Sequence, residues 1–160
     1  MVTRADWRVY GRPRKFYSGQ REKLILAAQF EAWLNTPRER IDKKGKVTVE
    51  KSRRENFNGA PYCGGYPEVG NFQYLWEYFA EIGAGKQTNG AYVPLEWVDL
   101  ASWIAVTGIK LDRWEARTLM EMSAAFVEYT YKAKSVSCML PKALLYLILP
   151  EDELAQLDYL

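Results

Sequence analysis

Residues 71–131 read NFQYLWEYFAEIGAGKQTNGAYVPLEWVDLASWIAVTGIKLDRWEARTLMEMSAAFVEYTY, and they decide the fold. Phe72, Leu75, Trp76, Phe79 and Ile82 recur at the i, i+3, i+4, i+7 spacing of one helical face. Asn71 stands where an N-cap is expected, and Gly83 and Gly85 stand where the helix should stop. The stretch from Ala84 to Tyr92 reads as a polar, glycine-bearing loop. Pro94 is suited to the first turn of a further helix, with Val98, Ala101, Ile104 and Ala105 as its inner stripe and Gly108 as its stop. Asp112 and Glu115 form an Asp-x-x-Glu capping box for a longer helix. Its stripe runs Glu115, Leu119, Met122, Phe126, Tyr129 to about Lys134, with Lys132 and Lys134 at the negative end of the dipole.

Outward from this region the pattern loosens. Met1 to Gly19, with Arg12, Pro13, Arg14 and Lys15, reads as a loose basic arm. Gln20 to Leu34 reads as a helix, with Ser18 near its N-cap, Leu26, Phe30, Trp33 and Leu34 on one face, and Pro37 at its end. Lys43-Lys44-Gly45-Lys46 between Ile41 and Val47-Thr48-Val49 reads equally as a short hairpin or a solvated loop. Residues 56–70, rich in Gly and Pro, are a natural boundary. Pro141 should open a short apolar helix ending before Pro150, and residues 151–160 form an acidic, leucine-spaced tail. The expectation is a mostly α protein, an irregular bundle of four to five helices with one short hairpin at most. Residues 1–56 form a basic N-terminal segment with one helix, and residues 57–160 a helical body.

Composition narrows the chemistry. A chain of 160 residues with 48% hydrophobic and 26% charged residues can bury a core without staples. It has no histidine, which excludes His-based triads, imidazole bases and His-ligated metals. Cys63 and Cys138 are its only cysteines, with no CxxC pair, and read as reduced bystander thiols, Cys138 buried. Gly83-Ala84-Gly85-Lys86 is no phosphate loop: Ala80 stands where a glycine is required and Gln87 where a magnesium-binding hydroxyl is required. Glu77 and Glu81 share a face but have no further ligands, and Glu151 to Glu153 read as tail charge. No catalytic, cofactor or metal site is expected. The N-terminus is not a signal peptide, and the longest apolar run, 143–149, falls far short of the ~20 residues that span a bilayer. The reading is a soluble, cytoplasmic, non-secreted protein.

Two features point to partners. Six Trp and eleven Tyr are a surplus for a small domain, and such side chains favour interfaces. Trp97, Trp103, Trp114 and Tyr78 are candidates for a groove that grips another polypeptide. Charge is also polarised, net +8 over residues 1–56 and −6 over residues 57–160. Arg12, Arg14, Lys15, Lys43, Lys44, Arg53 and Arg54 are candidate contacts to a polyanion, and the polarity favours self-association as well.

Tyr66-Pro67, Leu75-Trp76-Glu77-Tyr78-Phe79, Val93-Pro94-Leu95-Glu96-Trp97, Gly108-Ile109, Trp114-Glu115 and Leu119-Met120 together resemble the small tail assembly chaperones of long-tailed bacteriophages. The resemblance covers about residues 66–130. It departs from the family pattern at Ser123-Ala124-Ala125-Phe126, where an Asp is usual. It implies a non-enzymatic protein of the host cytoplasm that binds a long, helical, tape-measure-like protein until tail subunits polymerise around it. A structural virion protein, connector or adaptor, and a nucleic-acid-binding module acting through the basic segment are the alternatives.

Overall fold

The computed structural model describes residues 13–56 and 66–141, with side chains from residue 19 onward. Five helices and two antiparallel hairpins follow in the order α1 (Pro13–Asn35), β1 (Arg38–Ile41), β2 (Val47–Glu50), α2 (Arg53–Asn56), α3 (Gln73–Ile82), β3 (Lys86–Thr88), β4 (Ala91–Val93), α4 (Trp97–Thr107) and α5 (Arg113–Ala133). A 3-10 turn, Gly70–Phe72, leads into α3. The residues before Pro13, Cys63, and residues 142–160, where a short helix and an acidic tail are expected, lie outside the described residues.

The helix α5 is the axis of the fold. It buries Thr118, Leu119, Met122, Ser123, Ala125, Val127 and Ala133, residues on most of its circumference. Its N-terminus is fixed by the expected box: Glu115 N–H donates to Asp112 Oδ1 at 2.8 Å, and Asp112 N–H to Glu115 Oε2 at 2.6 Å. Such a cap contributes about 1 kcal/mol. Tyr74 O–H donates to the other oxygen of Glu115 at 2.7 Å, so the cap also ties α3 to α5.

α1 packs along α5, and the core has two parts. Leu24, Ala28, Val69, Leu75, Phe79, Leu100, Leu119 and Met122 form one, and Leu26, Phe30, Trp33, Leu34, Ala133 and Leu140 the other. α1 and α5 contribute to both parts; the expected boundary after residue 56 adjoins residues 57–65, which lie outside the described residues. α1 begins at Pro13, seven residues before the expected start, with Ser18 inside the helix rather than at its cap. Proline is at ease at the first helical position, where no N–H is needed.

Both hairpins are real. β1 pairs with β2 in the register Arg38↔Glu50 to Ile41↔Val47. Asp42 Oδ1 accepts the N–H groups of Lys44 and Lys46 at 2.8 and 2.9 Å, and Gly45 takes φ +77°. The loop expected over Ala84 to Tyr92 is instead the hairpin β3–β4, turned at Asn89 and Gly90 with φ +49° and +80°. These are the left-handed conformations a two-residue hairpin turn needs.

The hairpin β3–β4 lies along one stripe of α5. Ser123 Oγ accepts Leu95 N–H at 2.9 Å and donates to Ala84 O at 2.7 Å, clipping both ends of the hairpin. Two turns along, Tyr131 O–H donates to Tyr92 O at 2.9 Å and accepts Tyr92 N–H at 3.0 Å. Between them Gly85 lets the strand touch the helix: a Cβ there would lie 2.8 Å from Tyr92 Cζ, 2.8 Å from Val127 Cγ2 and 2.9 Å from Val93 O.

Two other helix starts differ from expectation. The residue before α3 is Phe72, with no side-chain cap, because the 3-10 turn absorbs Asn71. α4 starts at Trp97, three residues after Pro94, where Glu96 N–H donates to Asp99 Oδ2 at 2.7 Å. Both predicted stops hold: Gly83 N–H donates to Phe79 O at 3.2 Å, and Gly108, at φ +69°, to Ile104 O at 2.9 Å.

Candidate partner-binding surfaces

α4 is rotated from the orientation its sequence suggests. Leu100 is its buried residue, and Trp103 and Ile104 pack against the core beside it. Of the expected inner stripe, only Ile104 faces inward, while Val98, Ala101 and Ala105 are exposed. Trp97 is 57% exposed, Val98 62% and Val106 87%. The solvent face of α4 is therefore Trp97, Val98, Ala101, Ser102, Ala105 and Val106, without a charged side chain. Ser102 Oγ donates to its own helix at Val98 O, 2.7 Å away, so that hydroxyl is already satisfied.

The charged rim of this face is organised by Lys86. Its Nζ lies 2.7 Å from Glu96 Oε2 and 2.8 Å from Asp99 Oδ2, joining β3 to the first turn of α4. Hydrogen bonds to Asp99 and Glu96 push the Lys86 ammonium up, and the bond from Lys86 holds the Asp99 carboxyl below its ordinary value.

Three of the other predicted contacts lie inside an aromatic layer. Tyr78 and Trp103 approach to 5.3 Å between ring centres, and Tyr74 joins Tyr78 at 5.6 Å. Trp114 packs on Phe72 at 5.0 Å, with the Arg21 guanidinium 5.5 Å above its ring. Tyr78, Trp103 and Trp114 are partly buried against the core, so only Trp97 presents most of its surface to solvent. Burial and the bond to Glu115 push the Tyr74 phenol up.

A second open surface lies between the hairpins, over the C-terminal half of α5. It is a cleft of about 580 Å³ with Pro37 and Val49 on one side, Tyr92 on the other and Phe126, Thr130 and Tyr131 at its base. One face of the first hairpin, with Ile41, Val47 and Val49, is exposed beside it. Arg38 and Arg40 occupy the opposite face and both pair with Glu50.

The basic residues divide sharply. Lys43 and Lys44 are exposed at the tip of the first hairpin. Arg53, read from sequence as a polyanion contact, is 5% exposed and faces inward. Its Nη1 donates to Trp33 O at 3.2 Å and Ala133 O at 2.9 Å, and its Nη2 to Ser135 O at 3.0 Å and Cys138 O at 3.2 Å. The guanidinium lies 4.7 Å from the centre of the Trp33 ring. It neutralises carbonyls at the ends of α1 and α5, where helix dipoles are negative. Burial lowers the Arg53 pKa. Arg54 is also committed, to Glu31 at 2.9 Å, Asn35 at 2.6 Å and Tyr66 at 2.5 Å. Burial works against its charge, but Tyr66 and Glu31 outweigh that and raise its pKa. Tyr66 O–H donates in turn to Glu31, and burial with that bond pushes the phenol up to about 12. Side chains of Arg12, Arg14 and Lys15 lie outside the described residues.

Cys138 is half-buried rather than buried, a free thiol. Glu77 and Glu81 are exposed. Among the described residues, no three His, Cys, Asp or Glu side chains gather to hold a metal, and no helix is long and apolar enough to cross a membrane.

The described residues present a central α5, one helix with an uncharged apolar side, and an open cleft. Residues 69–128 match the family model of the phage tail assembly chaperones. That segment takes in α3, the second hairpin, α4 and most of α5, and leaves α1 and the first hairpin outside. The match supports a part in phage tail assembly, through binding another protein. No curated protein and no solved structure matches the chain.

Proposed function

We propose that this protein is a non-enzymatic chaperone of phage tail assembly. It holds a long, apolar, helical partner of the tape-measure kind in the host cytoplasm until tail subunits enclose it. One observation carries the reading: α4, inside the segment that matches the family, turns an uncharged stripe with Trp97, Val98 and Val106 to solvent. Soluble proteins keep such stripes for partners, and an amphipathic helix fits one at i, i+3, i+4 spacing. The 3.6-residue period of α4 places Val98, Ala101 and Ala105 along one face, against which a partner's apolar residues would lose contact with water.

Co-expression with a long helical protein of the tape-measure kind tests this. The native chain should co-purify with that protein and be missing from finished particles. Trp97→Ala should fold normally and lose the partner. Undiminished capture by Trp97→Ala would remove the α4 face from the proposal, and presence in finished particles would favour a virion component.

The exposed lysines of the first hairpin support a second, weaker activity, contact with a polyanion at Lys43 and Lys44. Such binding should fall steeply with salt. Neutral substitution of these two lysines should reduce it without changing the melting temperature.

A further inference from the structure

We propose that a second copy of this chain covers the α4 face, the two helices packing antiparallel about a two-fold axis at Ser102. The inference rests on α4 being the docking face and adds what fills it when the foreign helix is absent.

Three features of the face fit a copy of itself. The exposed side chains lie at positions 98, 101, 102, 105 and 106, the spacing of a helix–helix seam. Bulk sits at the ends, in Trp97, Val98 and Val106, and small residues in the middle, Ala101, Ser102 and Ala105. With the axis at Ser102, Val98 of one copy comes level with Val106 of the other, and the small residues let the backbones approach at the centre. An isologous contact doubles whatever charge it carries, because each residue meets the same surface again. This stripe carries none, and the nearest carboxylate, Asp99, is turned to Lys86 at 2.8 Å. Finally, the residue on the axis is already satisfied, since Ser102 Oγ donates to Val98 O at 2.7 Å. Its hydroxyl enters the seam without losing a partner.

The size of the face sets the strength. Eleven residues give α4 a length of about 16 Å. Each copy can contribute roughly 400–500 Å², so the pair buries less than the ~1,200 Å² of a stable standard interface. The dimer is therefore weak and concentration-dependent, which leaves the face open to a longer helix that buries more.

Sedimentation velocity on the purified full chain, from about 1 to 300 μM, tests the proposal. The mass should rise from 18.5 kDa toward twice that value within this range. Val106→Glu, at a position 87% exposed, should keep the native circular dichroism and melting temperature and raise the midpoint at least about tenfold. Adding Val98→Lys to that variant should bring the midpoint back toward native, since the introduced charges face each other twice across the axis. High salt should cancel the rescue. A chain that stays monomeric throughout, or a dimer indifferent to Val106→Glu, overturns the proposal. A double variant that remains monomeric overturns the antiparallel register. Partner capture is scored at nanomolar chain, where no dimer forms, so failure of the chaperone reading and failure of this one are separate results.

Discussion

Replacing Arg53 by Met should cost this protein a large share of its stability and leave any polyanion binding untouched. The guanidinium donates four hydrogen bonds, at 2.9 to 3.2 Å, to carbonyls of α1, α5 and the segment after it, and stacks on Trp33. No carboxylate pairs with it among the described residues; the partial charges at two helix C-termini serve instead. A hydrogen bond to a charged donor is worth about 1.5–3 kcal/mol net, but the four share one desolvation cost, so their sum overstates the effect. Breaking a buried charge cluster from one side costs about 3–5 kcal/mol, and the lower half of that range applies here because some freed carbonyls reach water. For a chain of this size, each kcal/mol lowers the melting temperature by about 2–4 °C, so the drop should be roughly 10 °C. Arg53→Lys should recover less than half, since one ammonium cannot reach carbonyls on both sides of a planar fork. Thermal and urea unfolding followed by circular dichroism measure both variants. An Arg53→Met protein that melts within about 2 °C of native would refute the assignment of Arg53 as a staple.

Trp103 and Trp97 should behave oppositely on the same helix: Trp103→Ala should lower stability by about 3 kcal/mol in urea unfolding, and Trp97→Ala by less than about 0.5 kcal/mol. Trp103→Phe should recover most of that loss, because the buried Trp103 Nε1 has no hydrogen-bond partner to forfeit. Gly85→Ala should destabilise by about 1–3 kcal/mol, as its Cβ would meet Val93 O at 2.9 Å, and loosened amides in β3 and β4 would be the signature in hydrogen exchange. The Lys86–Asp99 clip gives a pH profile with two ends. Asp99 is lowered in the folded chain, so its contribution is present above the ordinary 3.8 and is lost as pH falls through the lower, folded value. Lys86 is raised, so its contribution is present below 10.5 and is lost as pH rises through the higher, folded value. Amide protection in the second hairpin should therefore be level across neutral pH and fall at both extremes. A Lys86→Met protein with the same profile would show that other groups set it.

What the sequence determined by itself are the features governed by neighbours three or four residues away. The Asp112–Glu115 box and the stops at Gly83 and Gly108 concern backbone groups that a local side chain or a local φ satisfies, whereas the alternation around Gly45 left hairpin and loop equally open. The resemblance read over about residues 66–130 coincides with the family match over 69–128. The hairpin at Asn89-Gly90 also had a local signal, but strands of three residues gave too little alternation to outweigh a polar loop. Tertiary structure alone decided which way α4 faces. Its residues are apolar on nearly every side, so periodicity permits either stripe, and only Tyr78 and the core around Leu100 select Trp103 over Val98 as the inward residue. The same holds for Arg53. Nothing in a run of Lys51, Ser52, Arg53 and Arg54 separates a solvated cation from a buried one, because the carbonyls that bury it come from Trp33 and, far along the chain, Ala133, Ser135 and Cys138. Hydrophobic burial and dipole compensation depend on what the rest of the chain brings alongside, and that is settled only when the helices pack.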